Sequence, residues 1–206
     1  TSIADSRYLD SQDISGPLAT QYIEALAFIK RNLRRVQGDQ GFNSPGILEV
    51  PEVALQELLV NALVHRPYTQ RGDIFLNLHP DRLEVVNPGR LPLGVTPRTI
   101  LHTMRRRNER MATLFHDLKL MEREGTGFDL MYDVQLSHGR AVPVPTEGAD
   151  SVCVTVGRRV LRPEVIRLMA DADARFGLRR RERITLGLLA ASEGLTAREL
   201  AARLEL

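Results

Sequence analysis

Glu57-Leu58-Leu59-Val60-Asn61-Ala62-Leu63-Val64-His65-Arg66 is the stretch on which the fold turns. Together with Val53 and Leu55 it carries apolar residues on nearly every side of one helical cylinder, which predicts a helix buried over most of its surface. Glu57, Asn61 and His65 interrupt that surface at a spacing of four residues and therefore stack along a single face. Burying a carboxylate or an amide without a partner costs on the order of 2–7 kcal/mol. The polar stripe must therefore be paired, either in an internal hydrogen-bond network or in a site that holds a metal ion and a water. Pro51 and Glu52 set the start of this helix, the glutamate matching the positive end of the helix dipole, and Pro67 sets its stop near His65.

Working outward, Ile47 to Val50 reads as a strand feeding the buried helix, and Pro17 opens an earlier helix running to about Arg34 with Leu18, Tyr22, Leu26 and Ile29 on one face. A further strand is expected near Tyr8 to Ile14. Downstream, Asp73 to Leu78 and Arg82 to Val86 flank His79-Pro80-Asp81 as a β-hairpin that ends in the turn Asn87-Pro88-Gly89. The segment from Arg90 is loop-rich and becomes helical from about Glu109 to Leu120; Gly125-Thr126-Gly127 opens another helix to about Leu136. Strands at Val142 to Pro145 and Ser151 to Val156 follow, the second placing Val152, Val154 and Val156 on one face. The pattern predicts an α/β two-layer sandwich: a mostly antiparallel sheet with helices on one face. Beyond Leu161 the composition turns to arginine-rich helix. Ile184 to Ala191 and Leu195 to Leu204 read as the first two helices of a winged helix-turn-helix, with Thr196 and Glu199 forming a capping box.

Composition narrows the function classes. The chain has 206 residues, 43% hydrophobic and 26% charged, enough for one α/β domain and a small appendix. Its single cysteine, Cys153, excludes an intrachain disulfide and a cysteine-based zinc site, and no apolar run of roughly 18 residues occurs, so a cytoplasmic protein is expected. The net charge is only +2, yet arginines cluster at Arg105 to Arg107, at Arg158, Arg159 and Arg162, and at Arg179 to Arg181. With no tryptophan and 5% aromatic residues, a stacking platform for single-stranded nucleic acid is disfavoured.

The stretch from Glu57 to Arg66 resembles the N box of GHKL (Bergerat-fold) ATPases, most closely the C-terminal ATP-binding domain of RecG-like transcriptional regulators. Asp81 to Gly89 is similar to the strand and turn of that family's first glycine box, and Gly125-Thr126-Gly127-Phe128 to its second. The helicase label attached to such proteins finds no support, because no P-loop of the form GxxxxGK[ST] is present. The resemblance implies that Glu57 positions or deprotonates the attacking water and that Asn61 ligates Mg²⁺. It implies ATP as ligand, held by Asn61, Asn87, Gly89, Gly125, Thr126, Gly127 and Phe128, with Arg107 and Asn108 in the segment corresponding to the ATP lid. The chain departs from the family pattern at two places in the first box. Asn87 stands where an aspartate usually accepts a hydrogen bond from the adenine amino group, and Leu91 replaces the second glycine.

These readings divide the chain into a linker at 1–16, a GHKL-like ATP-binding domain at 17–160, and a helical linker with a partial winged helix-turn-helix at 161–206. The implied function is a slow Mg²⁺-dependent ATPase domain of a DNA-binding transcriptional regulator, with an AlbA or Schlafen-type domain expected to precede it. The other reading is a nucleotide-free dimerisation scaffold of such a regulator. Nucleotide, DNA and a second copy of the chain are the expected partners, and a membrane is not.

Overall fold

In the computed structural model, the described residues are 9–36, 47–101, 103, 105–120, 127–192 and 194–204. Helix α1 runs Leu18–Asn32 and α2 Glu52–His65. Short strands β1 (Arg35–Val36) and β2 (Ile47–Leu48) pair antiparallel between them. The hairpin expected from the sequence forms as β3 (Phe75–Leu78) and β4 (Arg82–Pro88), two residues longer than predicted because Asn87 and Pro88 continue the ladder opposite Val152 and Ser151. Helices α3 (Glu109–Asp117) and α4 (Gly127–Ser137) come next, then β5 (Val144–Glu147) and β6 (Ser151–Gly157). Three helices complete the described chain: α5 (Pro163–Phe176), α6 (Arg180–Ala190) and α7 (Ala197–Leu204).

The main sheet is antiparallel in the order β3-β4-β6-β5. Strand alternation puts Leu83, Val85 and Asn87 of β4 on the same face as their partners Val156, Val154 and Val152 of β6. That face is covered by α2, which packs on β4, and by α4, which packs on α2. The opposite face stays open: Phe75 is 58% and Val144 50% exposed. This is the expected two-layer α/β arrangement.

Buried α2 is explained by its composition. Ala54, Leu55, Leu58, Leu59, Val60, Ala62, Leu63 and Val64 are all buried, filling the space between the sheet and α1. Each large aliphatic side chain so buried contributes about 1.5–3 kcal/mol. Lys30 Nζ donates to Glu52 Oε1 at 2.7 Å, tying the last turn of α1 to the first turn of α2. Phe115 of α3 meets Tyr22 of α1 edge-on at 6.3 Å between ring centroids, so α3 is anchored to the same core.

Several boundaries differ from expectation, for identifiable reasons. Residues 9–14 form no strand; Asp10 instead accepts from Asn32 Nδ2 at 2.8 Å and from Arg31, binding the segment to the end of α1. Helix α3 stops at Asp117 rather than Leu120, because Lys119 takes a left-handed backbone with φ of 56°. Strand β5 is shifted by two residues toward the C-terminus, set by pairing of Val144 with Thr155. The capping box at α7 forms as read: Glu199 N donates to Thr196 Oγ1 at 3.2 Å, and Thr196 N donates to Glu199 Oε2 at 2.9 Å.

The C-terminal helices form a second apolar cluster in which Leu136 of α4 packs with Ile184, Leu188 and Leu204. Helix α4 thus belongs to both cores. None of the described helices is long and apolar enough to cross a membrane.

Candidate nucleotide site

The polar stripe of α2 faces a cavity of about 140 Å³ between α2, the inner sheet face, the start of α4 and the loop after β4. That volume is on the scale of an apolar cavity that takes up a benzene-sized ring. Leu58, Val85, Val152, Val154, Ile100 and Phe128 supply apolar walls; Glu57, Asn61, His65 and Asn87 supply polar groups. A mostly apolar hollow with a few placed polar atoms is what an aromatic ligand with a charged tail requires.

Asn61 Nδ2 donates to Glu57 Oε1 at 3.1 Å across one helical turn. This bond commits the donor side of the amide to the carboxylate and turns Asn61 Oδ1 away from it. Gly127 brings α4 against the same pair. A Cβ built on Gly127 would lie 1.8 Å from Glu57 Oε1 and 2.9 Å from Asn61 Nδ2, so a larger residue here would displace the ends of both side chains. The first turn of α4 therefore opens beside Glu57 and Asn61. Gly125 and Thr126, expected to share this role, lie outside the described residues.

Asn87 is oriented by the end of α2. Its Nδ2 donates to Ala62 O at 3.0 Å, one of the carbonyls that the last turn of a helix leaves without an internal partner. Asn87 Oδ1 is buried and has no hydrogen-bond partner. A carbonyl can only accept, so the amide cannot be turned over without losing the Ala62 bond. Asn87 therefore lines the cavity with its amide orientation fixed and its buried acceptor unsatisfied.

The other orphan carbonyls of α2 are taken in the same manner. Tyr68 Oη donates to Leu63 O at 2.9 Å, and Asn108 Nδ2 donates to both Val64 O and Arg66 O at 2.8 Å. Asn108, expected to reach phosphates, is thus placed as a C-terminal cap of α2 and does not line the cavity. Arg107 is likewise turned aside, its guanidinium donating to Arg90 O. The lid arginines that line the cavity are Arg105 and Arg106, both exposed at its mouth. Sequence reasoning missed them; the only available signal was the arginine run itself.

Gly89 lines the cavity with φ of +84°, a conformation suited to glycine. The close approach it permits is to the segment after α2, since a Cβ there would lie 2.5 Å from Pro67 Cγ. Its N–H donates to Asp150 O at 2.8 Å, closing the turn. Leu91, in place of a second glycine, is held by its own N–H donating to Glu147 Oε1 at 2.9 Å. Phe128 sits on the cavity wall and against Tyr132, with ring centroids 6.4 Å apart.

His65 completes the stripe. Burial of its ring, with the neighbouring positive charges of Arg107 and Arg106, pushes its pKa down to about 4. The imidazole is neutral at physiological pH, held so first by burial and then by the two arginine charges. Among the described residues no group of three His, Cys, Asp or Glu side chains is arranged to hold a metal ion.

With this geometry in view, the chain can be compared with known proteins. Residues 72–156 match the model of the family described as "Putative ATP-dependent DNA helicase recG C-terminal", an ATPase-type domain. That stretch takes in β3 to β6, Asn87, Gly89 and Gly127, and begins just after the α2 stripe. The chain is also similar to a solved structure, the DIP2311 protein from Corynebacterium diphtheriae, at 26% identity and a TM-score of 0.76 over 90% of this chain. It spans 38% of the length of that protein. No curated protein matches the chain.

Proposed function

We propose that this chain binds an adenine nucleotide, with the base in the cavity against Asn87 and the phosphates toward Asn61, Gly127 and the lid arginines. The observation that carries the reading is Asn87. Its amide donor is fixed on Ala62 O, and its buried Oδ1 lacks a partner. The 6-amino group of adenine can donate to that acceptor; at the same position of the base guanine carries a carbonyl oxygen, which opposes it. Leaving a buried acceptor unmatched is worth about 1–3 kcal/mol.

The donor set is compatible with Mg²⁺ bound together with the nucleotide. This ion keeps several waters and takes one or two protein oxygens plus phosphate oxygens, so Asn61 Oδ1 suffices from the protein side. When bound, Mg²⁺ supplies neutralisation of phosphate charge. Glu57 lies where it can hold a water by hydrogen bonding and accept its proton, with Asn61 keeping the carboxylate in place. The first turn of α4 offers N–H groups to phosphate oxygens. Arg105 and Arg106 add positive charge at the mouth. Catalysis on these terms is positioning and electrostatics, consistent with slow ATP hydrolysis. Glu57→Ala is expected to keep nucleotide binding and lose turnover, measured by phosphate release under saturating ATP. Turnover equal to that of the parent chain rules out this role for Glu57.

In the wider protein we assign this unit to a DNA-binding regulator. Support comes from the paired helices α6 and α7, the Thr196 capping box between them and the arginine run Arg179 to Arg181. Duplex DNA binding through this region is expected to weaken steeply with salt.

A further inference from the structure

The helix that begins at the candidate site continues into the C-terminal helices. At its first residue, Gly127, the backbone lies so close to the ends of Glu57 and Asn61 that an added Cβ would displace both. Two turns on, Asp133, only 5% exposed, accepts from Arg183 Nε at 2.9 and 3.1 Å and from Arg183 Nη2 at 2.5 Å. The same guanidinium donates to Leu178 O at 2.8 Å, tying the start of α6 to this grip. One further turn along, fully buried Leu136 meets the backbone of α6, where a Cβ built on Gly187 would lie 2.7 Å from Leu136 Cβ. Tight glycine contacts thus hold α4 near both ends of about 14 Å of helix. Close-packed interfaces of this kind shift between discrete arrangements rather than deforming smoothly.

We propose that α4 couples the cavity to the C-terminal helices, so that binding of a nucleoside phosphate beside Gly127 and docking of α6 on α4 bias one another. The inference rests on the nucleotide reading above. The differential contact it requires is the one between Glu57 and Gly127. Phosphate oxygens arriving at the first turn of α4 repel the Glu57 carboxylate and compete for the space it shares with the helix start, which moves Gly127 relative to α2. Because α4 is gripped by Arg183 and Gly187, that movement is passed to α6. Coupling of this sort is reciprocal: whatever loosens α6 must change ligand affinity by the same factor.

The experiment uses the 206-residue chain with ADP as probe. Hydrogen exchange of the α6 amides is followed with and without ADP, and ADP dissociation constants are measured calorimetrically for the parent chain, Arg183→Gln and Gly187→Ala. Circular dichroism checks that both variants keep their helix content. The expected result is an ADP-dependent change in α6 exchange and a shift in ADP affinity of about fivefold or more in each variant, the lower end of typical allosteric coupling. ADP binding with unchanged affinity in both variants overturns the coupling while leaving the nucleotide reading intact. So does α6 exchange that is indifferent to ADP, a readout that needs no variant. Absence of ADP binding to the parent chain refutes the nucleotide reading, and the coupling falls with it.

Discussion

Replacing Asn87 by aspartate is expected to harm this protein. The reason is the bond from Asn87 Nδ2 to Ala62 O at 3.0 Å. Aspartate retains an acceptor for the cavity but cannot donate to the helix carbonyl while ionised. Ala62 O then loses its partner, which costs about 1–3 kcal/mol, and the new carboxylate faces a carbonyl oxygen, which places the total at or above the upper end, about 3 kcal/mol. For a chain of this size that amounts to a lowering of the melting temperature by about 6–12 °C. The pH dependence gives a second handle. Burial and the facing carbonyl raise the carboxyl's pKa in the folded state above its unfolded value. A raised folded pKa means that stability is fully present below the unfolded pKa and lost as pH rises through the folded one. The deficit of Asn87→Asp relative to the parent chain at the same pH is therefore largest near pH 8 and shrinks toward pH 5, where a protonated carboxyl can donate to Ala62 O. Thermal and urea unfolding of both proteins across this range provides the assay. An Asn87→Asp protein as stable as the parent at pH 8 refutes the claim that the amide is committed to the end of α2.

Two further outcomes follow from the same geometry. Because the folded pKa of His65, about 4, lies below the ordinary value of 6.5, the stability it confers is present above pH 6.5 and is lost as pH falls through 4. At pH 5 this amounts to about 2 kcal/mol, and His65→Gln is expected to flatten that portion of a stability profile taken from pH 8 to 5. Asn108→Ala removes both bonds to Val64 O and Arg66 O and is expected to cost about 1–3 kcal/mol in urea unfolding while leaving nucleotide affinity within twofold. A large loss of affinity without loss of stability would return Asn108 to the phosphates.

Helix α2 was legible because its apolar residues, its Pro51 start and its Pro67 stop are local signals, and the stripe of Glu57, Asn61 and His65 had to face something. The β3–β4 hairpin and the Thr196 capping box were legible for the same reason. What escaped notice depends on contacts distant in sequence. Asn108 caps a helix whose last carbonyls lie more than 40 residues earlier, and nothing around Asn108 signals that α3 will begin beside the end of α2. Arg107 and Arg106 are neighbours in a run, yet Arg106 lines the cavity while the Arg107 guanidinium donates to Arg90 O, a bond spanning 17 residues. Strand β1 is two residues long, too short for any alternation to register. The burial of Arg158, paired to Glu49, likewise runs against its place in the arginine cluster with Arg159 and Arg162. Which side of the Asn87 amide is occupied was not legible either, because its partner, Ala62 O, lies 25 residues away in sequence.

The most direct test of the account is a calorimetric titration of ATP, ADP and GTP, each with Mg²⁺, into the parent chain and into Asn87→Ala. One adenine nucleotide is expected to bind per chain, with GTP at least about fivefold weaker, as an unmatched acceptor worth about 1–3 kcal/mol requires, and with that preference lost in Asn87→Ala. Equal affinity for ATP and GTP, or no binding of either at millimolar concentration, would contradict it.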